Sequence, residues 1–151
     1  MIGVLIVTHY GLGDELLNAL RLILGEIDGF LSVGVDPGTP SKETRERLEK
    51  ALHELDRGKG TLVLVDMFGG TPSNLCLSFL EEGRFEVVTG VNLPMLVKIA
   101  RSREGASIHS LAELACEYGR KNISVASDVL AGRASGEVRG DDGETGKEND
   151  A

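Results

Sequence analysis

Two side chains capable of nucleophilic or acid–base chemistry end two apolar segments of the sequence. His9 follows the segment MIGVLIVT, and Asp66 follows TLVLV. A carboxylate that accepts a hydrogen bond from one imidazole nitrogen fixes the tautomer of the ring, and the other nitrogen is then free to act as a nucleophile or a base. His9 and Asp66 are therefore predicted to be a catalytic pair, provided that the fold brings them together.

A glycine-rich segment, GGTPSN at positions 69–74, lies shortly after Asp66. Thr71 has the residue type of a helix N-cap, and Pro72 is of the type favoured at the first helical position. The main-chain amides at the start of a helix, with the helix dipole behind them, attract anions. The sequence therefore predicts a phosphoryl-binding segment, and its structural alternative is only a tight turn and a capped helix. The residues assigned to phosphoryl binding are Gly69, Gly70, Thr71 and Ser73.

One chemistry uses all of these residues. A neutral His9 attacks a phosphoryl group, Asp66 stabilises the positive charge that develops on the ring, and the helix start receives the phosphoryl oxygens. The sequence contains neither the phosphate loop GxxxxGK[ST] nor a GxGxxG after the first strand, so no motif supports nucleotide binding. Cys76 and Cys116 are not clustered with other ligands, so we expect buried reduced thiols and neither a metal nor a cofactor.

Four short apolar runs rich in β-branched residues predict strands, and helical patterns lie between them. The runs are Ile2–Val7, Phe30–Val35, Thr61–Val65 and Phe85–Val91. The first and third runs are apolar on both faces, which is typical of parallel strands covered by helices on both sides. The sequence SLAE at positions 110–113 has the form of a capping box, and it predicts a last helix from Ser110 to about Val129.

The alternation of strands and helices predicts an α/β fold, a three-layer sandwich with a mainly parallel open sheet of flavodoxin-like type. We expect the strand order 2-1-3-4, and an antiparallel C-terminal strand could extend one edge of the sheet. Ligands of such sheets bind at the carboxyl ends of the strands where the strand order reverses, which here lies between strands 1 and 3. His9 ends the first strand and Asp66 ends the third, so this topology makes them neighbours.

The composition is that of one domain followed by an acidic tail. Residues 1–130 form the predicted domain, whereas residues 131–151 are glycine-rich, acidic and without apolar periodicity, and are predicted to be disordered. The net charge of −8 offers no basic surface for nucleic acid. No apolar run approaches the roughly 20 residues of a membrane span, so we expect a cytoplasmic protein with no direct membrane insertion.

Three stretches of the sequence together resemble a known family. MIGVLIVTHYGLGDELL, LVLVDMFGGTPSNL and VVTGVNLPMLV are similar to the IIA domain of the mannose family of the bacterial phosphoenolpyruvate:sugar phosphotransferase system (PTS), over roughly residues 1–130. The resemblance implies that His9 carries a phosphoryl group on Nε2 and that Asp66 is its hydrogen-bonding partner at Nδ1. Family members often have a small residue after the active histidine, whereas this chain has Tyr10.

The same resemblance implies the partners and the type of enzyme. The chain would be a phosphotransferase with a phosphohistidine intermediate, which accepts the phosphoryl group from the phosphocarrier protein HPr and passes it to a separate IIB protein. This transfer would serve sugar uptake or a purely regulatory phosphotransferase system. The resemblance also implies homodimers that exchange a C-terminal strand.

Two other functions fit parts of the sequence. One is a flavodoxin-like module that binds an anion or nucleotide at the helix start without covalent transfer, although the scarcity of aromatic residues, 4% of the chain, disfavours a flavin. The other is the phosphotransfer subunit of a dihydroxyacetone kinase, which also uses an N-terminal histidine. The GGTPSN and GVNLPM stretches favour the mannose type over this alternative.

Overall fold

A computed structural model describes residues 1–78 and 84–132 of the chain. Strands and helices alternate along most of it. The strands are β1 (Gly3–His9), β2 (Phe30–Val35), β3 (Thr61–Val65) and β4 (Phe85–Thr89). The helices are α1 (Leu12–Leu24), α2 (Ser41–Leu55), α3 (Thr71–Leu77), α4 (Leu93–Ser102), α5 (Ile108–Lys121) and α6 (Ala126–Leu130).

The four strands form one sheet in the order β2-β1-β3-β4, and every neighbouring pair is parallel. The register pairs Val7 of β1 with Val65 of β3. The carboxyl ends of β1 and β3 therefore lie side by side at one edge of the sheet. The predicted strand order and the reversal between strands 1 and 3 are confirmed.

The side chains of β1 alternate between the two faces of the sheet. Val4 and Ile6 lie in a buried apolar cluster with residues of α1, α4 and α5. Leu5 and Val7 lie in a second buried cluster with residues of α2 and with Cys76 of α3. Since helices cover both faces, neither face of β1 needs polar side chains, and the predicted three-layer arrangement is confirmed.

The predicted end of the fourth strand was two residues too late. β4 ends at Thr89, because Gly90 adopts a left-handed φ of 82° and turns the chain back toward β3. The amides of Gly90 and Val91 both donate to the carbonyl of Val65, at 2.9 and 3.0 Å. This loop therefore fixes the last residue of β3, directly before Asp66.

The prediction of one last helix from Ser110 to about Val129 was also wrong. α5 begins at Ile108, because the Ser107 hydroxyl accepts a hydrogen bond from the Ser110 amide at 3.2 Å and so caps the helix three residues earlier. A separate short helix, α6, begins after Val125, whose backbone is extended.

Two compact units divide the chain, residues 1–119 and residues 120–151. The first unit contains the whole sheet and helices α1 to α4. The described part of the second contains the end of α5 and the helix α6. The predicted acidic tail, and any C-terminal strand drawn from it, lie outside the described residues from position 133 onward. Within the described ranges, no helix is long and apolar enough to cross a membrane.

Candidate functional site

The fold brings His9 and Asp66 into direct contact at the carboxyl ends of β1 and β3. His9 is the last residue of β1, and Asp66 follows the last residue of β3. The imidazole Nδ1 lies 2.7 Å from the carboxylate Oδ2. Residues far apart in the sequence therefore form one site because their strands are adjacent and parallel.

Three N–H groups surround the Asp66 carboxylate. Oδ2 accepts from the His9 main-chain amide at 2.9 Å and contacts the His9 ring at 2.7 Å, and Oδ1 accepts from the Met67 amide at 3.0 Å. Burial alone would raise the pKa of Asp66, but the hydrogen bonds and charge of His9 and the Met67 amide outweigh it, so the pKa lies below its ordinary value. The carboxylate is therefore ionised at neutral pH.

An ionised carboxylate only accepts hydrogen bonds, which decides the tautomer of His9. Nδ1 must carry the proton that it donates to Asp66. In the neutral ring, Nε2 then keeps an unshared electron pair. The His9 side chain is 43% exposed, whereas that of Asp66 is 13% exposed. The site therefore presents a nucleophilic nitrogen on an accessible ring, held from behind by a largely buried carboxylate.

Gly70 lies against the edge of the imidazole that bears Nε2. A Cβ atom built on Gly70 would lie 3.0 Å from His9 Cε1 and 3.3 Å from His9 Nε2. Gly70 of the glycine-rich segment is thus beside Nε2, and phosphoryl binding by this segment stays a prediction. Gly69 takes a left-handed φ of 85°, which allows the chain to turn between Asp66 and this contact.

The start of α3 differs from the prediction by one residue. Gly70 has the extended backbone of the N-cap, and Thr71, predicted to be the cap, is the first helical residue. The first main-chain hydrogen bond of the helix runs from the Asn74 amide to the Gly70 carbonyl, at 3.0 Å. The amides of Thr71 and Ser73 precede that bond, so neither has a partner within the helix, as at any helix start.

Thr71 and Ser73 are placed differently with respect to solvent. Thr71 is exposed. Ser73 is fully buried, and its Oγ has no hydrogen-bond partner among the described residues. Neither the hydroxyl nor the main chain of Ser73 therefore lies on the open surface of the site.

The GVNLPM stretch supports the end of β3 next to Asp66. The Asn92 Oδ1 accepts from the Met95 amide at 3.0 Å and caps α4, and its Nδ2 donates to the Gly119 carbonyl at 3.0 Å. Asn92 is thus the N-cap of α4. The cap and the hydrogen bonds to the Val65 carbonyl hold the end of β3 in place. A glycine followed by an Asn-X-Pro helix start was the sequence signal for this support.

No group of three or more His, Cys, Asp or Glu side chains within residues 1–78 and 84–132 is arranged to hold a metal ion. Cys76 is buried in the second apolar cluster, and burial raises the pKa of its thiol to about 12. This thiol is therefore protonated and unreactive at neutral pH.

The depressed pKa of Asp66 predicts an acid-dependent contribution to stability. Because the folded pKa lies below the ordinary value of 3.8, the contribution is complete above that value and is lost as the pH falls through the folded pKa. We expect the free energy of unfolding of the wild-type protein to fall more steeply below about pH 4 than that of Asp66→Asn, measured by urea unfolding at a series of pH values. Parallel curves for the two proteins would contradict this assignment.

Comparisons with known proteins agree on one family. The family described as "PTS system fructose IIA component" matches residues 3–116. The mannose-specific EIIAB component of the PTS in Escherichia coli (strain K12) is 34% identical over 124 residues, which are 81% of this chain and 38% of that protein. The fructose-specific EIIA component of Bacillus subtilis (strain 168) is 30% identical over 131 residues, 86% of this chain and 90% of that protein. The chain thus spans well under half the length of the E. coli relative but nearly all of the B. subtilis one.

Solved structures show the same fold. The phosphotransferase system component EIIA from Streptococcus agalactiae superimposes with a TM-score of 0.76 at 27% identity, over 84% of this chain and 98% of that one. The mannose/sorbose specific IIA subunit from Enterococcus faecalis superimposes with a TM-score of 0.74 at 25% identity, over 82% of this chain and 93% of that one.

Proposed function

The chain belongs to the mannose/fructose family of PTS IIA components, and from this premise we propose that it carries a phosphoryl group on His9. The group comes from phosphorylated HPr and goes to a separate IIB protein. The observation that supports this proposal most strongly is the 2.7 Å contact between His9 Nδ1 and the ionised Asp66, which leaves Nε2 as the nucleophile.

The proposed transfer is a displacement at phosphorus. The Nε2 electron pair forms a bond to the phosphorus of a phosphohistidine on the donor, and the bond from phosphorus to the donor nitrogen breaks, returning its electron pair to the donor ring. Positive charge develops on the His9 imidazole, and the adjacent carboxylate of Asp66 stabilises it. Passage to the acceptor repeats the displacement with His9 as the leaving group.

The glycine-rich segment is proposed to hold the phosphoryl oxygens. Gly69 and Gly70 bring the main chain close to Nε2, and the amides of Thr71 and Ser73 lie at the start of α3. Thr71, which is exposed, can contribute its hydroxyl as well. Since Ser73 is fully buried, its proposed part in phosphoryl binding is limited to forming the first turn of α3, and its hydroxyl makes no contact with the phosphoryl group.

The surroundings of His9 suit a protein partner. Three large side chains follow the catalytic pair closely in sequence and are exposed. They are Tyr10 (63% exposed), Met67 (56%) and Phe68 (70%). Large apolar side chains exposed together are typical of surfaces that meet other proteins. A carrier between two proteins needs such a surface next to an accessible histidine, whereas a site for a free small molecule is usually enclosed.

Family membership supports the remaining parts of the proposal. We place the protein in the cytoplasm, as a homodimer, with residues 1–130 forming the phosphotransfer domain. Its acceptor serves sugar uptake or a regulatory system. A dihydroxyacetone-kinase-type subunit and a noncovalent anion-binding module are the competing functions.

Reconstitution of the transfer chain separates these functions. The protein is incubated with phosphoenolpyruvate, enzyme I and HPr, and then with either a mannose-type IIB protein or the nucleotide-binding subunit of a dihydroxyacetone kinase. We expect the phosphoryl group to reach the IIB protein alone. Transfer only to the kinase subunit would favour the second function. Failure to accept any phosphoryl group from a cognate HPr would contradict the carrier function.

The substitution Gly70→Ala tests the assigned face of the imidazole. The backbone of Gly70, with φ −84° and ψ 171°, accepts alanine, but the added methyl group would lie 3.0 Å from His9 Cε1. We expect phosphoryl acceptance to slow about tenfold with little change in folding, because approach to Nε2 is obstructed. The rate of phosphorylation by phospho-HPr measures this effect.

Gly38→Ala is the matched control, because Gly38 is exposed and a Cβ there meets only the Asp36 Oδ1 at an ordinary 3.4 Å. Equal rates of phosphorylation for Gly70→Ala and Gly38→Ala would mean that the phosphoryl group does not reach Nε2 along the side of the ring where Gly70 lies.

A further inference from the structure

The two-residue connection between β1 and α1 is strained. Tyr10 has a φ of +48°, the only positive φ of a residue other than glycine in the described part of the chain. This region is unfavourable for a residue with a Cβ atom, so surrounding contacts must hold Tyr10 there. Tyr10 is 63% exposed, and the contacts that hold it in this conformation involve its main chain.

The buried Thr8 hydroxyl forms hydrogen bonds to both sides of this connection. Thr8 is fully buried in β1, and its Oγ1 accepts from the Gly13 amide at 2.8 Å and donates to the Tyr10 carbonyl at 3.5 Å. Helix α1 has Gly11 as its N-cap, and glycine has no side chain to cap with. Thr8 therefore takes over the capping of α1 from the preceding strand and ties the helix start to the end of β1.

The Tyr10 carbonyl lies in the space that a side chain at position 34 would fill, and Gly34 has none. Gly34 pairs with Thr8 in the sheet, and a Cβ atom built on it would lie 2.3 Å from the Tyr10 oxygen. No real Cβ atom makes so short a contact, so a side chain at this position would displace the carbonyl. A glycine inside a strand often marks such a close approach of another backbone segment.

These contacts act on His9 because it lies between Thr8 and Tyr10. The His9 amide is bonded to Asp66 on the β3 side, and the Tyr10 amide is bonded to the Val35 carbonyl on the β2 side at 3.0 Å. Both amides precede the φ rotation of Tyr10, so the left-handed turn directs the following chain into α1 while both bonds stay in place. We infer that Thr8 and Gly34 are positioning residues for His9, which hold the turn in the conformation that keeps the imidazole against Asp66. This inference rests on the proposed carrier function of His9.

Thr8→Val tests the hydroxyl, because valine has nearly the shape of threonine and cannot form either hydrogen bond. We expect kcat for phosphoryl acceptance to fall about tenfold with a smaller change in the KM for phospho-HPr, because the ring is misplaced while the exposed Met67 and Phe68 are unaltered and Tyr10 alone moves with the turn. Thr8→Ser, which keeps the hydroxyl, should restore most of the rate. Thr61→Val is the matched control: Thr61 is also fully buried in a strand, and its Oγ1 has no partner among the described residues.

Gly34→Ala tests the same turn while the Thr8 hydroxyl is intact. It should also lower kcat, whereas Gly38→Ala, at an exposed position just after β2, should not. Thermal unfolding of every variant shows which of them fold. If Thr8→Val does not fold, Gly34→Ala carries the test.

A readout independent of transfer is the nitrogen-15 NMR spectrum of the imidazole. We expect the wild-type ring to be a single tautomer protonated at Nδ1, and Thr8→Val and Gly34→Ala to show a mixture of tautomers. Folded variants with wild-type kcat and a wild-type imidazole spectrum would overturn the positioning inference and leave the carrier function standing. If the wild-type protein accepts no phosphoryl group, the carrier function fails, and the imidazole spectra still decide whether Thr8 and Gly34 position His9.

Discussion

His9→Ala is expected to accept no phosphoryl group from phospho-HPr and to pass none to a IIB protein. The substitution removes the imidazole that contacts Asp66, and Gly70, which lies beside Nε2, has no side chain to replace it. The loss should be complete within the sensitivity of the assay. Transfer is measured by following the phosphoryl group from phosphoenolpyruvate to the acceptor.

The same substitution should leave the fold nearly unchanged. The His9 side chain is 43% exposed, and Asp66 keeps two main-chain donors when the ring is removed. We expect the free energy of unfolding to change by about 1 kcal/mol or less. His53→Ala, at an exposed position on α2, is the control that should transfer normally. Normal transfer by His9→Ala would place the phosphoryl group elsewhere.

Asp66→Asn is expected to lower the rate of phosphoryl acceptance by about a hundredfold or more. The carboxylate accepts three N–H groups, with those of His9 on one oxygen and that of Met67 on the other. An amide has only one oxygen. Whichever way it is turned, its NH₂ group meets an N–H donor of the protein.

The consequence for His9 depends on that orientation. If the amide oxygen turns toward Met67, the NH₂ group faces the imidazole and favours the tautomer with the proton on Nε2, which is no longer nucleophilic. If the oxygen turns toward His9, the Met67 amide loses its acceptor. In both orientations the variant lacks the negative charge that stabilises the developing imidazolium. The measurement is a single-turnover rate with excess phospho-HPr.

Asp36→Asn provides the control for this substitution. Asp36 directly follows β2 at the same edge of the sheet, and its Oδ1 accepts from the Gly38 amide at 2.8 Å. Asp36 therefore follows its strand as Asp66 follows β3, but its carboxylate bonds to the Gly38 amide and not to a histidine. Asp36→Asn should transfer at the wild-type rate, and a wild-type rate for Asp66→Asn would remove that carboxylate from the mechanism.

The sequence was sufficient to predict the features that depend on long apolar patterns. The strand order follows from doubly apolar runs alternating with helices, and that order is what makes the ends of β1 and β3 adjacent. The contact between His9 and Asp66 is a consequence of topology, so no detail of side-chain packing was needed to anticipate it.

Features that depend on one or two residues were predicted less well. Thr71 and Ser110 both have the residue types of N-caps, yet the caps are Gly70 and Ser107. Propensity ranks residue types for a cap, but the direction in which the preceding loop enters the helix selects the position.

The support behind His9 was not predicted at all. Thr8 caps a helix that begins four residues later, and Gly34 makes room for a carbonyl of another segment. Both contacts join segments that the sequence alone does not place in register. A glycine in the interior of β2 was the one local signal that another backbone segment approaches closely.

The most direct test of the account is the intact mass of the wild-type protein after incubation with phosphoenolpyruvate, enzyme I and HPr. We predict a gain of one phosphoryl group, lost on mild acid treatment, stable to alkali and mapped to His9 by fragmentation under neutral or alkaline conditions. An unchanged mass with a cognate HPr, or an acid-stable adduct on a serine or threonine, would contradict the assignment of His9 as the phosphoryl carrier.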